Sequence, residues 1–244
     1  SNWLRIRYET NQSLEDICFD LLNTVGTKIL VYDGFKSTAW RKGLFPEYKG
    51  NRKPAVALQD WFDTLNLFKN QYVPAMGDVF TVEVAEYEAD DLIAFLAKDT
   101  EGFIYSSDQD FLVLESPNMR CVSPYVSKIR VPAVQMRLYK TLTGDSSDNI
   151  IGLQGFGPKS FDRLSDFDIR LLNHAFELGD SAPFCESLPE RFQVKLEENW
   201  EQLKVFWTII GFRPITADVV RQHLKFHPKG DMTKVMALNV RFKI

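Results

Sequence analysis

The sequence predicts an α/β fold, a mostly parallel sheet with flanking helices, carrying an attached helical subdomain. Short apolar runs suited to buried strands alternate with amphipathic helical segments through the first half of the chain. Acidic residues follow three of those strands, at the carboxyl end or in the turn beyond it. From about residue 132 the apolar spacing is mainly helical, with a glycine loop set between helices. The expected division is an α/β core over 1–131, including a basic arch region at about 41–80, and a helical region over 132–244 packed on it.

Each element has a local reason. In "SLEDICFDLLNTVG", Ser13 caps a helix, Asp16 sits in its first turn and Gly26 ends it. "KILVYD" is a buried strand ending on Asp33. "GFKSTAWRKGLFPEYKGNRK" carries six Lys or Arg residues against one glutamate and is a basic connection. "AVALQDWFDTLNLFKN" sets Leu58, Trp61, Phe62, Leu65 and Phe68 at helical spacing. "VFTVEV" is a strand, "EADDLIAFLAKD" a helix, "FIYSSD" a strand ending on Asp108, and "MRCVSP" another strand.

The totals narrow the function classes. With 45% hydrophobic and 25% charged residues, the 244-residue chain fills a large core and is not expected to be disordered. No apolar run approaches a membrane span, so no membrane partner is expected. Cys18, Cys121 and Cys185 are scattered without a CxxC pair, which argues for a reducing, cytoplasmic compartment (the host's, for a viral protein) and against a cysteine zinc site. His223 and His227 have a metal-like spacing but no acid or cysteine nearby in sequence, and are read as surface or packing residues.

The acids carry the chemistry. Asp33 follows one strand, Asp108 and Asp110 another, and Glu88, Asp90 and Asp91 open a helix after a third. In an open α/β sheet the carboxyl ends of strands share one crevice, so these six converge. Asp145 and Asp148, three apart in "GDSSDN", add two more. Close carboxylates repel by ~4 kcal/mol per pair at an effective dielectric near 20. Hard divalent cations with oxygen ligands are the natural neutraliser for eight of them, and two such ions form the clamp used at phosphodiesters. Taken singly, each group also suits a helix N-terminus, a cap or a solvated turn.

In "GLQGFGPKS", Pro158 suits a first helical position, and the N–H groups there, with Lys159 and Ser160, suit a nucleic-acid phosphate. The GxxxxGK[ST] spacing of a nucleotide loop is absent, and a plain helical corner is the alternative. The basic connection interleaves Arg41, Lys49 and Arg52 with Phe45 and Tyr48, the mixture that single-stranded nucleic acid asks for; a solvated loop is the alternative there.

With these motifs assembled, the chain resembles the 5′-nuclease family of flap endonucleases and 5′→3′ exonucleases, above all the compact stand-alone members of bacteriophages and bacteria. "RKGLFPEYKGNR" resembles the family's basic segment, "EADD", "SSDQD" and "GDSSDN" its acidic motifs, and "GLQGFGPKS" its helix–three-turn–helix, over about 144–165. The likeness runs from Ser1 to about Phe161. It implies a PIN-like core and a two-metal, structure-selective 5′-nuclease acting at 5′ flaps or 5′ ends of DNA or on RNA primers. Asp33, Glu88, Asp90, Asp91, Asp108, Asp110, Asp145 and Asp148 would surround two divalent cations, Mg²⁺ or Mn²⁺. Lys49 and Arg52 would be the catalytic basic pair near the scissile phosphate. Arg41, Lys42, Tyr48, Lys53, Gly155, Gly157, Lys159 and Ser160 would contact DNA, with K⁺ near the glycine loop. The implied partner is branched or 5′-ended DNA, or an RNA–DNA hybrid, met by a monomer. Family members open with a strand ending in an aspartate, and this sequence starts where that strand should have ended. A DNA-binding form that lacks this ligand and does not cleave, or a PIN-type ribonuclease, are the alternatives.

Overall fold

The computed structural model describes residues 12–52, 59–106, 108–122 and 131–242. Helix α1 (Leu14–Asn23) starts on a reciprocal cap: the Asp16 N–H donates to Ser13 Oγ at 3.1 Å, and the Ser13 N–H donates to the Asp16 carboxylate at 3.3 Å. Its face of Leu14, Ile17, Cys18 and Leu21 is buried. The helix stops at Thr24, before Gly26. Strand β1 (Ile29–Tyr32), the short α2 (Ala39–Leu44), α3 (Gln59–Leu67), a π turn (Phe68–Tyr72), α4 (Val73–Met76) and β2 (Val79–Glu83) follow. Then come α5 (Ala89–Lys98), β3 (Gly102–Tyr105), a 3-10 turn (Gln109–Leu114) and β4 (Met119–Val122). The helical part holds α6 (Met136–Thr143), the single-turn α7 (Pro158–Phe161), α8 (Asp166–Leu178), α9 (Glu190–Glu198), α10 (Trp200–Ile210) and α11 (Ala217–His223). Strand β5 (Lys225–His227) and α12 (Met232–Phe242) close the described chain.

The four strands read from the sequence are present, and they pair in parallel: β1 with β2, Ile29 opposite Phe80, and β3 with β4, Gly102 opposite Met119. Among the described residues these form two separate ladders. β5 adds an antiparallel edge to β2, with Val79 opposite His227. That edge was not expected, because the sequence reads the chain from about residue 132 as mainly helical; α12 is helical as read, and its Val235 packs with Leu14 and Ile17 of α1. His227 is buried in the sheet with a ring nitrogen 3.0 Å from the Thr81 hydroxyl, and His223 meets its own helix at the Val219 carbonyl.

The helical part has its own core, in which Phe176 stacks between Trp200 and Trp207 at centroid distances of 4.2 and 5.0 Å. Such aromatic pairs contribute about 0.5–1.5 kcal/mol each beyond the area they bury. The arch expected over 41–80 needs a correction. Phe68, Tyr72, Val73, Met76 and Val79 are buried against α1 and α12, because their apolar side chains find more burial in that core than over a solvated strand. Residues 53–58, and Lys53 with them, lie outside the described residues. Among the described residues no helix is long and apolar enough to cross a membrane.

Candidate active site

The segment that runs from β2 through α5 to β3 sets most of the acids in place. Helix α5 starts beyond the carboxyl end of β1, where the Ala89 N–H donates to Asp33 Oδ1 at 2.8 Å. Asp108, just after β3, caps the 3-10 turn by accepting the Asp110 N–H at 3.0 Å. Asp90 stands among these groups. Burial first, then the charges of Asp108, Asp33 and Glu88, push its carboxyl up to about 7, with Lys49 opposing. Three acids stand around a fourth, and the two cations that reach them, Lys49 and Arg41, both meet Glu88, so the negative charge is concentrated at Asp33, Asp90 and Asp108.

Glu88, almost fully buried, accepts from the Tyr48 hydroxyl at 3.0 Å and from Lys49 Nζ at 2.5 Å. Arg41 Nη1 lies 3.1 Å from it. Asp148 accepts from the same Tyr48 hydroxyl at 3.2 Å and from Arg52 Nη2 at 3.1 Å. The backbones of these two motifs are laced together as well. The Lys49 N–H donates to the Asp148 carbonyl at 2.9 Å, and the Asn149 side chain donates to the Glu47 carbonyl at 2.9 Å. Lys49 itself has φ 55, a left-handed conformation that non-glycine residues seldom adopt. Such strain persists only where the surroundings hold it, and it clusters at working sites.

A second acid pair is tied by a residue that sequence reasoning missed. Lys140 of α6 reaches Asp110 at 2.6 Å and Asp145 at 2.9 Å. Burial works against its charge, yet the two carboxylates raise its ammonium above the ordinary value. Burial likewise opposes the Asp145 charge, but Lys140 and the Ser147 hydroxyl and N–H hold that carboxyl below its usual range. The available signal was a lysine, the second of two cations in an amphipathic helix leading straight into "GDSSDN".

Three expectations are corrected. Asp91 does not join the acid cluster. It is 1% exposed, takes both prongs of the Arg41 guanidinium at 2.9 and 2.7 Å, and accepts the Arg213 N–H at 2.7 Å. Arg41 is accordingly no DNA contact: it is 3% exposed and also donates to the carbonyls of Ile209 and Gly211, joining α2 to the end of α10. Tyr48 is buried too, and its hydroxyl is spent between Glu88 and Asp148; burial above all pushes its phenol far above the usual value, so it stays a donor. Lys42 and Arg52 are exposed.

The glycine loop leaves α6 and turns back on it. Gly152 has φ 64, and a Cβ there would lie 2.4 Å from the Gly144 nitrogen and 2.6 Å from the Leu142 carbonyl, so the return admits only glycine. Ile150, Leu153 and Phe156 anchor the loop from below, leaving Gly155, Gly157, Lys159 and Ser160 around one open depression. Pro158 takes the first helical positions as expected. Because α7 is one turn long, any attraction for anions rests on Lys159 and the local N–H groups more than on a helix dipole.

Among the described residues no three acids close around a single ion. The donor set nevertheless fits hard divalent cations: carboxylate oxygens alone, with unbalanced charge at Asp90. Mg²⁺ keeps several of its waters and needs few direct carboxylates, so a wide ring of acids suits it better than a tight cage.

Residues 10–140 match the family model described as the 5′-3′ exonuclease N-terminal resolvase-like domain. Flap endonuclease Xni of Shewanella halifaxensis is 33% identical over 197 residues, 74% of this chain and 73% of that protein. Xni of Shewanella pealeana is 33% identical over 147 residues, and the match spans 55% of its length. DNA polymerase I of Rhizobium leguminosarum is 29% identical over 188 residues, which span 17% of the polymerase. Among solved structures, the bacteriophage T5 5′-exonuclease with divalent metal ions (zinc) bound superposes with a TM-score of 0.64 at 18% identity, covering 91% of this chain and 93% of that one. A bacteriophage T5 flap endonuclease in a pseudo-enzyme–product complex with DNA and metal ions gives 0.59 at 20% identity over 85% of each chain. By the family match and the Xni identity together, this chain is a member of the 5′-nuclease family of 5′→3′ exonucleases and flap endonucleases.

Proposed function

We propose that the chain is a structure-selective 5′-nuclease that hydrolyses phosphodiesters at 5′ flaps or 5′ ends of DNA, and that divalent cations, Mg²⁺ or Mn²⁺, sit among its acids. The observation that carries this reading is the convergence of acids from separate segments: Asp33 accepts the N–H at the start of the helix that bears Asp90, and Glu88 beside it binds Lys49 and shares the Tyr48 hydroxyl with Asp148. Asp33, Glu88, Asp90 and Asp108 would hold the cations, with Asp110, Asp145 and Asp148 as further oxygen acceptors around them. Ions there supply charge neutralisation and Lewis-acid activation for in-line hydrolysis.

The chain's own residues do the positioning. Lys49, fixed by its left-handed backbone and its bond to the Asp148 carbonyl, brings an ammonium to where negative charge develops on the scissile phosphate. Arg52, with its side chain 56% exposed, faces outward beside Asp148 and meets the same phosphate. Tyr48 keeps Glu88 and Asp148 at a fixed separation. Lys42 would add a backbone contact, and Gly155, Gly157, Lys159 and Ser160 would grip the duplex through its phosphates, with K⁺ bound to loop carbonyls. Because "GDSSDN" and the glycine loop are one continuous segment, the distance from grip to cut is set by the fold.

The test is cleavage of a 5′-labelled flap duplex, beside a linear duplex and a single strand, in Mg²⁺ and in EDTA. Cutting near the junction in Mg²⁺ alone supports the reading. Binding in EDTA with no cutting in Mg²⁺ makes the chain a DNA-binding form of the same scaffold instead.

A further inference from the structure

We infer that Phe35 is a positioning residue that stacks on an unpaired nucleobase of the bound strand, fixing that strand where it meets the acids. This rests on the nuclease reading above. Phe35 lies two residues past Asp33 and is 79% exposed. Singly exposed apolar residues are common on protein surfaces and need no explanation by themselves. Here the loop is built to hold the ring out. The Gly34 N–H donates to the Tyr87 carbonyl at 3.1 Å, the Lys36 N–H to the Ala85 carbonyl at 2.7 Å, and the Ser37 N–H to the Gly34 carbonyl at 3.0 Å. A Cβ on Gly34 would lie 2.0 Å from the Val84 carbonyl oxygen, so the backbone is pressed flat against the segment leading to Glu88. Backbone bonds on both sides of Phe35 fix the direction in which its Cα–Cβ bond projects, and the ring it carries stands in solvent.

The surroundings select the occupant. Lys36 Nζ lies 5.4 Å from the Phe35 ring centroid. Alongside, Arg213 lies 4.0 Å from the centroid of Tyr87 and 5.1 Å from that of Trp40. Rings interleaved with cations are what a single strand uses, since every base has a stacking face and every phosphate seeks a positive charge. The position supports the same occupant. A base on Phe35 would sit two residues from Asp33, whose carboxylate caps the acid-bearing helix at Ala89. A protein partner would cover the same ring, and the test separates the two.

The test uses 2-aminopurine at each of the first unpaired positions of a 5′ flap, with the wild-type chain, Phe35→Ala and Phe35→Trp. Fluorescence and affinity are read in EDTA, and cleavage in Mg²⁺. Stacking quenches the probe. The expected result is quenching by the wild type and Phe35→Trp but not by Phe35→Ala, with strand affinity about tenfold weaker in the alanine variant. Cleavage by Phe35→Ala should spread over several positions, while Phe35→Trp keeps one. Thermal midpoints of the three should coincide, since the ring touches little of the core. Equal quenching in Phe35→Ala, or no quenching by the wild type at any position, overturns the inference, and the second outcome leaves a protein partner as the occupant. If the wild type cuts normally and Phe35→Ala matches it throughout, the inference fails and the nuclease reading stands. If the wild type cuts nothing, the nuclease reading fails, while quenching in EDTA still decides the stacking.

Discussion

Replacing Arg41 with methionine distinguishes a folding role from a DNA-contact role at one residue. The guanidinium makes two bonds to Asp91, at 2.9 and 2.7 Å, and two to carbonyls, Ile209 at 2.9 Å and Gly211 at 3.1 Å. Both Arg41 and Asp91 are at most 3% exposed. In Arg41→Met the Asp91 carboxylate stays buried with the Arg213 N–H still donating to it, and two carbonyls lose the Arg41 donor. Breaking a buried pair from one side costs about 3–5 kcal/mol, because an uncompensated charge is left inside. For a chain of this length that lowers the thermal midpoint by about 6–20 °C. Arg41→Lys should recover little of this, because an ammonium cannot form the two-pronged bond. Pairing Arg41→Met with Asp91→Leu should recover most of it, since position 91 then carries no charge and Glu88, which also loses Arg41, keeps Lys49. The assays are thermal and urea unfolding, beside the salt dependence of DNA binding. A near-unchanged midpoint, together with a salt slope smaller by about one unit, would refute the reasoning and return Arg41 to the DNA surface.

Three further outcomes are expected. Lys49→Ala should cut the single-turnover cleavage rate by about a hundredfold or more and leave DNA affinity largely intact; an unchanged rate removes Lys49 from the mechanism. Lys159→Ala should weaken binding to all sequences alike and reduce the salt slope by up to about one unit, and a sequence-dependent loss would contradict a phosphate-only grip. Asp168, in α8, accepts from the Ser187 N–H at 3.1 Å and from the hydroxyls of Ser187 and Ser165. Burial works against its charge, but these bonds hold its carboxyl below the usual value. A carboxyl whose folded value lies below its unfolded value of about 3.9 stabilises fully above that pH and loses the contribution as the pH falls through the folded value. The urea-stability gap between the wild type and Asp168→Asn should therefore stay level from about pH 7 to about 5 and narrow below about 4; a gap that widens on acidification contradicts it.

The strands were legible because a run such as Ile29–Tyr32 is apolar on both faces, and the acids because they follow those runs. Direction was not legible in the same way. Composition shows that cations and aromatics share "RKGLFPEYKGNR", but Arg41 turns inward because its partner Asp91 stands fifty residues on, and that pairing exists only once α5 has packed. Tyr48 is alike: its hydroxyl joins Glu88 and Asp148, one hundred positions apart from it in the second case. Lys140 escaped notice because both its partners were read as metal ligands with no cation between them. β5 is three residues long, too short to show an alternation against the helical pattern around it. Buried electrostatics set these places, and one-dimensional spacing carries little of it.

The central claim is that Asp33, Glu88, Asp90 and Asp108 form a divalent-metal centre, although Lys49 and Arg41 already reach Glu88. The most direct measurement is anomalous diffraction from crystals of the chain grown with Mn²⁺. The expected result is manganese bounded by those four carboxylates, with Asp91 still on Arg41. Crystals in saturating Mn²⁺ with no ion there would contradict the account, leaving Asp90 to meet its neighbours by holding a proton.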